Sequence, residues 1–85
     1  MAIKIKVHLK GHLEKYTTSG ERQEYVNIKE KGTLKEVVDY YGFVAGEIGI
    51  ILINDELVSS YENELKENEL KEGDEIKFYP IFAGG

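Results

Sequence analysis

Residues 72–85 read Glu72-Gly73-Asp74-Glu75-Ile76-Lys77-Phe78-Tyr79-Pro80-Ile81-Phe82-Ala83-Gly84-Gly85. The first three residues are typical of a tight turn, because glycine and aspartate tolerate the backbone angles that turns require. Apolar and polar residues then alternate, so Ile76 and Phe78 are expected to point towards a core. The stretch therefore predicts a final β-strand that leads directly into two terminal glycines.

The first residues of the chain show the same period of two. Apolar side chains alternate with polar ones from Ile3 to Leu9, which predicts a strand with one buried and one solvated face. An irregular connection follows over residues 11–22, where Leu13 and Tyr16 are expected on a short helical turn. Residues 24–29 predict a second strand with Val26 and Ile28 inward. The first and last strands are the most regular and are expected at the centre of the sheet.

One helix is predicted after the second strand. Thr33 and Glu36 have the spacing of a capping box, in which two side chains satisfy free backbone N–H groups. An apolar stripe follows, and Gly42 is expected to end the helix in the left-handed conformation. The stripe consists of Leu34, Val37, Val38 and Tyr41.

The remaining chain predicts two more strands before the last one. Residues 50–53 are apolar on both faces, which favours a strand covered on both sides. Asn54-Asp55 predicts a turn, and Leu57-Val58 predicts a short returning strand whose side chains, like Phe78, belong to the core. The polar stretch 59–71 is expected to be anchored by its apolar members, Tyr61, Leu65 and Leu70.

This order of elements predicts an α+β fold. One main helix crossing one face of a mixed sheet describes the β-grasp, or ubiquitin-like, fold. The 85 residues, of which 41% are hydrophobic, suffice for one small core. We therefore expect a single β-grasp domain over residues 1–79 and a flexible Gly-Gly tail over residues 80–85.

Composition argues against several functional classes. The net charge is −5 and Arg22 is the only arginine, which disfavours a nucleic-acid binder. No stretch is apolar enough to span a membrane and no signal-peptide core is visible, so a cytoplasmic location is expected. The absence of cysteine excludes thiolate metal sites and cysteine nucleophiles. His8 and His12 lack a third ligand, so no metal site is predicted and both are expected at the surface.

The end of the chain carries the chemistry. Gly84 and Gly85 lack a Cβ, so they can enter a channel too narrow for any side chain. Six extended residues from Pro80 reach roughly 20 Å, although terminal glycines can also simply fray. Pro80 has no N–H and is expected to stop strand pairing. Ile81 and Phe82 are either end-of-core residues or anchors for a partner, and the partner role is favoured for Phe82.

Three stretches of the chain resemble the MoaD/ThiS family of sulfur carriers. They are residues 51–58, Ile51-Leu52-Ile53-Asn54-Asp55-Glu56-Leu57-Val58, residues 70–76, and residues 78–85, Phe78-Tyr79-Pro80-Ile81-Phe82-Ala83-Gly84-Gly85. The long connection over residues 11–23 is similar to the molybdopterin branch of the family. Ile81 departs from that branch, which often has a second proline after the first.

The resemblance implies a carrier that is not itself an enzyme, although it would serve as the small subunit of molybdopterin synthase. An E1-like, MoeB- or ThiF-like adenylyltransferase would use ATP to adenylate the carboxylate of Gly85, and a sulfur donor would convert it to a thiocarboxylate. No cofactor is expected on the carrier itself. The sulfur would go to the large subunit of molybdopterin synthase or to another acceptor. Gly84 belongs to the reactive end, and Pro80, Ile81, Phe82 and Ala83 are expected to bind the partners. The resemblance also implies a docking face on the last strand and its neighbours, which is the alternative to the core for Leu57, Val58 and Phe78.

Two alternatives remain open from the sequence. A ubiquitin-like modifier or interaction module would use the same tail for conjugation to lysine, or leave it unmodified. A thiamine-pathway carrier would use the same thiocarboxylate chemistry. The sequence leaves open the final sulfur acceptor, conjugation to other proteins and the oligomeric state.

Overall fold

A computed structural model describes residues 2–17, 19–44 and 46–81. It contains five strands, two α-helices and one 3-10 helix. In chain order they are β1 (Ala2–Leu9), the 3-10 helix (Gly11–Tyr16), β2 (Gln23–Lys29), α1 (Leu34–Tyr41), β3 (Ile48–Ile53), β4 (Glu56–Val58), α2 (Glu62–Leu65) and β5 (Glu75–Pro80).

The five strands form one mixed sheet in the order β2-β1-β5-β3-β4. β1 and β5 are parallel neighbours, paired from Lys6 with Glu75 to Leu9 with Phe78. The pairs β1–β2, β3–β5 and β3–β4 are antiparallel. The predicted interior position of the first and last strands is confirmed, and so is the β-grasp arrangement.

The core lies between one face of the sheet and α1. The residues predicted to point inward on the second and last strands are buried, and Ile76 and Phe78 are fully so. On the first strand Ile5, Val7 and Leu9 are fully buried, whereas Ile3 is only partly buried. Leu34, Val37 and Tyr41 of α1 are buried among the same core residues. Leu13 of the 3-10 helix also belongs to this core. A buried cluster of this kind supplies most of the hydrophobic stabilisation of a small domain.

The helix begins and ends where the sequence predicts, but its first turn is held differently. Thr33 is the N-cap residue, yet its side chain makes no capping hydrogen bond. Glu36 instead lies 3.4 Å from Lys29 Nζ, so the predicted capping box is wrong. Backbone contacts with the later chain replace it, since the Leu34 N–H donates to the Asn68 carbonyl at 2.9 Å. Gly42 has φ 66° and closes the helix as predicted.

Three apolar residues lie outside the core, against expectation. Leu57 and Tyr61 are each 72% exposed, and Ile50 is 48% exposed. In the described residues both α-helices pack on the opposite face of the sheet, so the face carrying Ile50 and Leu57 has no helical cover. Leu65 and Leu70 anchor the 59–71 segment without Tyr61.

Candidate functional site at the root of the C-terminal segment

The last strand continues through the proline that was expected to end it. Pro80 is buried, belongs to β5 and is paired with Ile48. The Ile81 N–H then donates to the Glu47 carbonyl oxygen at 3.1 Å. The prediction that pairing stops at Pro80 is therefore wrong, because a proline removes only its own donor and the next residue resumes the ladder. Ile81 itself is 47% exposed.

Two glycines leave room for this end of β5. A Cβ on Gly11, which has φ +56°, would lie 3.1 Å from Pro80 Cγ. A Cβ on Gly49 would lie 3.0 Å from the Pro80 carbonyl oxygen and 3.1 Å from Ile81 Cγ1. Both glycines therefore permit the backbone to pass close to Pro80 and Ile81. These two residues are called the root of the C-terminal segment. A glycine inside the apolar run 48–53 is a signal for such an approach, and the sequence analysis missed it.

The Glu47 side chain is tied to the 3-10 helix. The Tyr16 hydroxyl donates to Glu47 Oε1 and accepts from the Val44 N–H at 3.2 Å. Lys15 Nζ and His12 Nε2 lie 3.1 Å and 3.5 Å from Glu47 Oε2. The hydrogen bond from Tyr16 is the largest cause that lowers the pKa of Glu47. Partial burial opposes it, and the contacts with Lys15 and His12 lower the pKa further. Glu47 is therefore held as a carboxylate.

Aromatic packing connects this polar cluster to the core. The Tyr16 ring meets the Phe43 ring edge-on at a centroid distance of 4.8 Å, and Phe43 lies 5.1 Å from Phe78 of β5. Phe43 also stacks on Tyr41 at 5.4 Å. Tyr16 was predicted on a short helical turn, but its link to Glu47 was not, because the two residues are far apart in the sequence.

The uncovered face of the sheet carries an apolar patch, formed by Ile50, Leu52, Leu57 and Tyr79. Ile50 is paired with Tyr79, and Leu52 is paired with Leu57, so these side chains share one face. The patch includes Tyr79, which directly precedes the root. Exposed apolar surface next to a functional segment is typical of an interaction site.

Basic side chains flank the patch on the same face. Lys6, His8 and Lys77 point there, since His8 is paired with Lys77 and Lys6 with Glu75. His8 Nε2 lies 2.7 Å from Glu75 Oε2, and that contact is the main cause that lowers the pKa of Glu75. Lys77 Nζ lies 3.1 Å from Asp55, which raises the pKa of Lys77. Both lysines beside the patch are therefore paired with carboxylates, since Lys6 Nζ also lies 4.0 Å from Glu75 Oε2.

A cavity of about 510 Å³ lies elsewhere, between α1 and the segment before α2. Its floor includes Val38, Ile48 and Leu65. The charged groups at its rim, Lys35 and Asp39, pair with each other at 3.0 Å. The cavity therefore lacks the convergent polar groups that orient a small ligand.

The described parts of the chain hold no cluster of three or more His, Asp or Glu side chains suited to a metal ion. His12 is exposed, as predicted, whereas His8 is mostly covered by its contact with Glu75. Across residues 2–17, 19–44 and 46–81, the helices are too short or too polar to cross a bilayer.

Of the predicted site residues, the structure describes Pro80 and Ile81. Phe82, Ala83, Gly84 and Gly85 lie outside the described residues, so their roles stay predictions. Glu47, Tyr16 and Gly49 are the residues at the root that the sequence analysis did not single out.

The mixed sheet, the helix across one face and the parallel pairing of the first and last strands define a ubiquitin-like β-grasp protein. The model of the ThiS family matches residues 7–85, and the chain belongs to that family. Proteins of the ThiS/MoaD group are small sulfur carriers or ubiquitin-like proteins rather than catalytic enzymes. They work in general with E1-like activating enzymes and sulfur acceptors.

Solved structures share this fold at low sequence identity. The HVO 2177 protein of Haloferax volcanii matches with a TM-score of 0.74 and 16% identity, over 99% of this chain and 88% of that one. A protein described as molybdopterin converting factor, subunit 1, from Pyrococcus furiosus matches with a TM-score of 0.69 and 17% identity, over 94% and 99% of the two chains. SAMP1 of Haloferax volcanii matches with a TM-score of 0.70 and 20% identity, over 96% of this chain and 99% of that one. No curated protein has a matching sequence.

Proposed function

We propose that the protein is a sulfur carrier whose Gly85 carboxylate is adenylated by an E1-like enzyme and converted to a thiocarboxylate. One observation carries the proposal. In a chain of the ThiS family, residues 82–85 with their Gly-Gly end follow directly on an interior strand whose last residues are held in place. The reactive group would thus be presented by an interior strand of the sheet.

The reaction needs groups that this chain does not supply. A Gly85 carboxylate oxygen attacks the α-phosphorus of ATP, pyrophosphate leaves, and an acyl-adenylate forms. A persulfide sulfur then attacks the acyl carbon, and AMP leaves as the C–O bond breaks. A thiol cleaves the S–S bond and is itself oxidised to a disulfide, which releases the thiocarboxylate. Because the chain has no cysteine, the persulfide and the thiol belong to partners.

The dimensions of the segment suit this role. The four residues after Ile81 span roughly 14 Å when extended, at about 3.3–3.6 Å each. The last two lack a Cβ, so the acyl carbon stays open to attack inside a narrow channel. Phe82 and Ala83 would contact the wall of that channel, together with Ile81 at its mouth. Pro80 is buried in β5, so its role would be to support the segment from within the sheet.

We place the activating enzyme on the uncovered sheet face. The apolar patch lies beside the root, and Leu57 is its most exposed member. Apolar anchors surrounded by charged residues are the usual centre of a protein interface. A partner seated there would have its active site within reach of Gly85.

The sulfur acceptor is proposed to be the large subunit of molybdopterin synthase, in molybdopterin-type cofactor assembly in the cytoplasm. The fold shared with the Pyrococcus furiosus protein described as molybdopterin converting factor, subunit 1, supports this assignment. The long connection over residues 11–23, which holds the 3-10 helix, supports it as well. The carrier itself would bind no cofactor.

A second candidate function is that of a ubiquitin-like modifier, joined through Gly85 to lysines of other proteins. The solved small archaeal modifier proteins favour it. SAMP1 of Haloferax volcanii shares the fold, and so does SAMP1 of Methanosarcina acetivorans, with a TM-score of 0.62 and 21% identity. Both candidates use the same adenylated carboxylate and differ in what attacks it.

Intact mass spectrometry after incubation with an E1-like enzyme, ATP and a persulfide donor tests the proposal. Replacement of one oxygen by sulfur at Gly85 supports the carrier. Adducts of the chain on lysines would favour the modifier instead. An unchanged mass, under conditions where a known carrier is converted, would rule out both.

A further inference from the structure

We propose that Tyr16 and Glu47 form a latch that fixes Ile81 and thereby positions the Gly85 carboxylate for activation. The inference rests on the proposed function and adds two positioning residues to it. We propose no contact between these two side chains and the reacting atoms. They would act through the backbone of residue 47.

Glu47 joins the root to the body of the protein in two ways. Its carbonyl oxygen accepts from the Ile81 N–H at 3.1 Å. Its carboxylate accepts from the Tyr16 hydroxyl on the other side. The position of the acceptor for Ile81 therefore depends on how the Glu47 side chain is held.

A single hydroxyl closes the loop that carries Glu47. Tyr16 accepts from the Val44 N–H at 3.2 Å while it donates to Glu47, so it binds the loop near both ends. The loop includes Gly46 with φ +81°, where the backbone has more freedom than elsewhere. Without the hydroxyl, the Glu47 N–H bond to the Val44 carbonyl would remain to hold the turn.

The Glu47 side chain is well covered for an acidic residue, just before the interior strand β3. It is 13% exposed, although carboxylates favour water. Lys15 Nζ and His12 Nε2 contact its second oxygen. These groups converge on the residue that accepts from the Ile81 N–H, which points to a role in holding Ile81.

A fixed root limits where the end of the segment can lie. The four residues beyond Ile81 reach roughly 14 Å, so a change in the direction of the root shifts the accessible positions of Gly85. Reaction rates depend steeply on such positioning, because misplaced reactants rarely reach the geometry of attack. The latch should therefore affect the rate of adenylation more than the affinity for the enzyme.

Tyr16→Phe is the selective test, since it removes the hydroxyl and keeps the ring against Phe43. Tyr61→Phe is the matched control, because it also removes one tyrosine hydroxyl, from an exposed residue outside the 3-10 helix and the 44–47 loop. The first readout is amide hydrogen exchange of the isolated protein. We expect the Ile81 amide to exchange about tenfold faster in Tyr16→Phe, because the variant loses the hydrogen bond from Tyr16 to the charged Glu47 carboxylate. The amide of Val7, in the core, should be unchanged.

The second readout is adenylation by the E1-like enzyme. We expect kcat to fall about tenfold in Tyr16→Phe with an unchanged Kd, and Tyr61→Phe to match the natural chain. Glu47→Gln, which keeps the shape of the side chain but weakens the contacts with Lys15 and His12, should give a smaller loss. It also serves as the test if Tyr16→Phe folds poorly.

Two results would overturn the latch. One is an Ile81 amide that exchanges at the natural rate in both variants. The other is faster exchange of the Ile81 amide in Tyr16→Phe together with a normal kcat. That result would show that Tyr16 holds Ile81 in the natural chain but that this hold does not position the carboxylate. If the natural chain itself is never adenylated, the proposed function fails and so does the positioning role, while the exchange data still show whether Tyr16 holds Ile81.

Discussion

The amide of Ile81 donates to the carbonyl oxygen of Glu47 across 3.1 Å, one residue beyond the proline that ends β5. Within the described residues, this bond is the last link between the sheet and the end of the chain. Its geometry depends on the close approach of Gly49 to Pro80 and on the contacts of the Glu47 side chain.

Gly49→Ala should loosen the root. The added Cβ would lie 3.0 Å from the Pro80 carbonyl oxygen, so backbone must move. Overpacking of this kind costs about 1–3 kcal/mol of the free energy of unfolding, measurable by urea denaturation. Sulfur loading should fall as well.

Gly20→Ala is the control for this change. Gly20 has φ +80° with open space around it, so alanine there adds conformational strain of about 1 kcal/mol and leaves the root alone. Sulfur loading should stay normal in this variant. If Gly49→Ala is as stable as the natural chain, Gly49 does not lie as close to the Pro80 carbonyl oxygen as the structure places it.

Leu57→Ala should lower the affinity of the activating enzyme for the carrier. Leu57 projects from the apolar patch, and truncation of an interface anchor typically costs about 1–2 kcal/mol of binding free energy, or roughly 5–30-fold in Kd. Tyr61→Ala is a matched control, because Tyr61 is equally exposed but lies away from the patch. Titration calorimetry with the E1-like enzyme gives both affinities. Equal losses in the two variants would argue against docking on this face.

Glu75 should make stability depend on pH in the acid range. Its hydrogen bond with His8 and the nearby lysines lower its pKa in the folded protein. Because the pKa of Glu75 is lower in the folded protein, ionised Glu75 stabilises the fold above its unfolded pKa of about 4.3. This stabilisation is lost as the pH falls through the folded pKa.

Thermal melts at several pH values, on the natural chain and on Glu75→Gln, test this dependence. We expect the difference in Tm between the two proteins to shrink as the pH falls from about 4.5 towards 3. A difference that instead grows over that range would contradict the assigned sign.

Much of the fold followed from local patterns. Alternation in residues 3–9 and 75–79 identified β1 and β5, two of the three interior strands. Asn54 and Asp55 adopt the positive φ values expected of their turn. The exposure of Leu57 and Tyr61 was not predictable in this way. Short amphipathic stretches do not reveal which face a distant helix covers, and burial depends on that packing.

The candidate site was only partly predictable for a related reason. Gly84, Gly85 and Pro80 are visible in the sequence because their chemistry is intrinsic to the residue. The Tyr16–Glu47 contact joins residues from separate loops, and no periodicity relates them. The strand that continues through Pro80 also depends on a partner, Glu47, that local propensity does not specify.

Deletion of Gly85 separates folding from function. Gly85 is a glycine at the end of the sequence and has no side chain to bury, so its removal should leave Tm within about 1 °C of the natural value. Adenylation should be abolished, because the carboxylate would end one residue short in the active site. A shortened chain that is still adenylated at the natural rate would argue against a fixed depth of insertion.

The most direct measurement is the intact mass of the natural chain after incubation with an E1-like enzyme, ATP and a persulfide donor, followed by fragmentation to locate any change. The account predicts a gain equal to replacement of one oxygen by sulfur, confined to Gly85. A mass that stays unchanged while a known carrier is converted in the same mixture would contradict it.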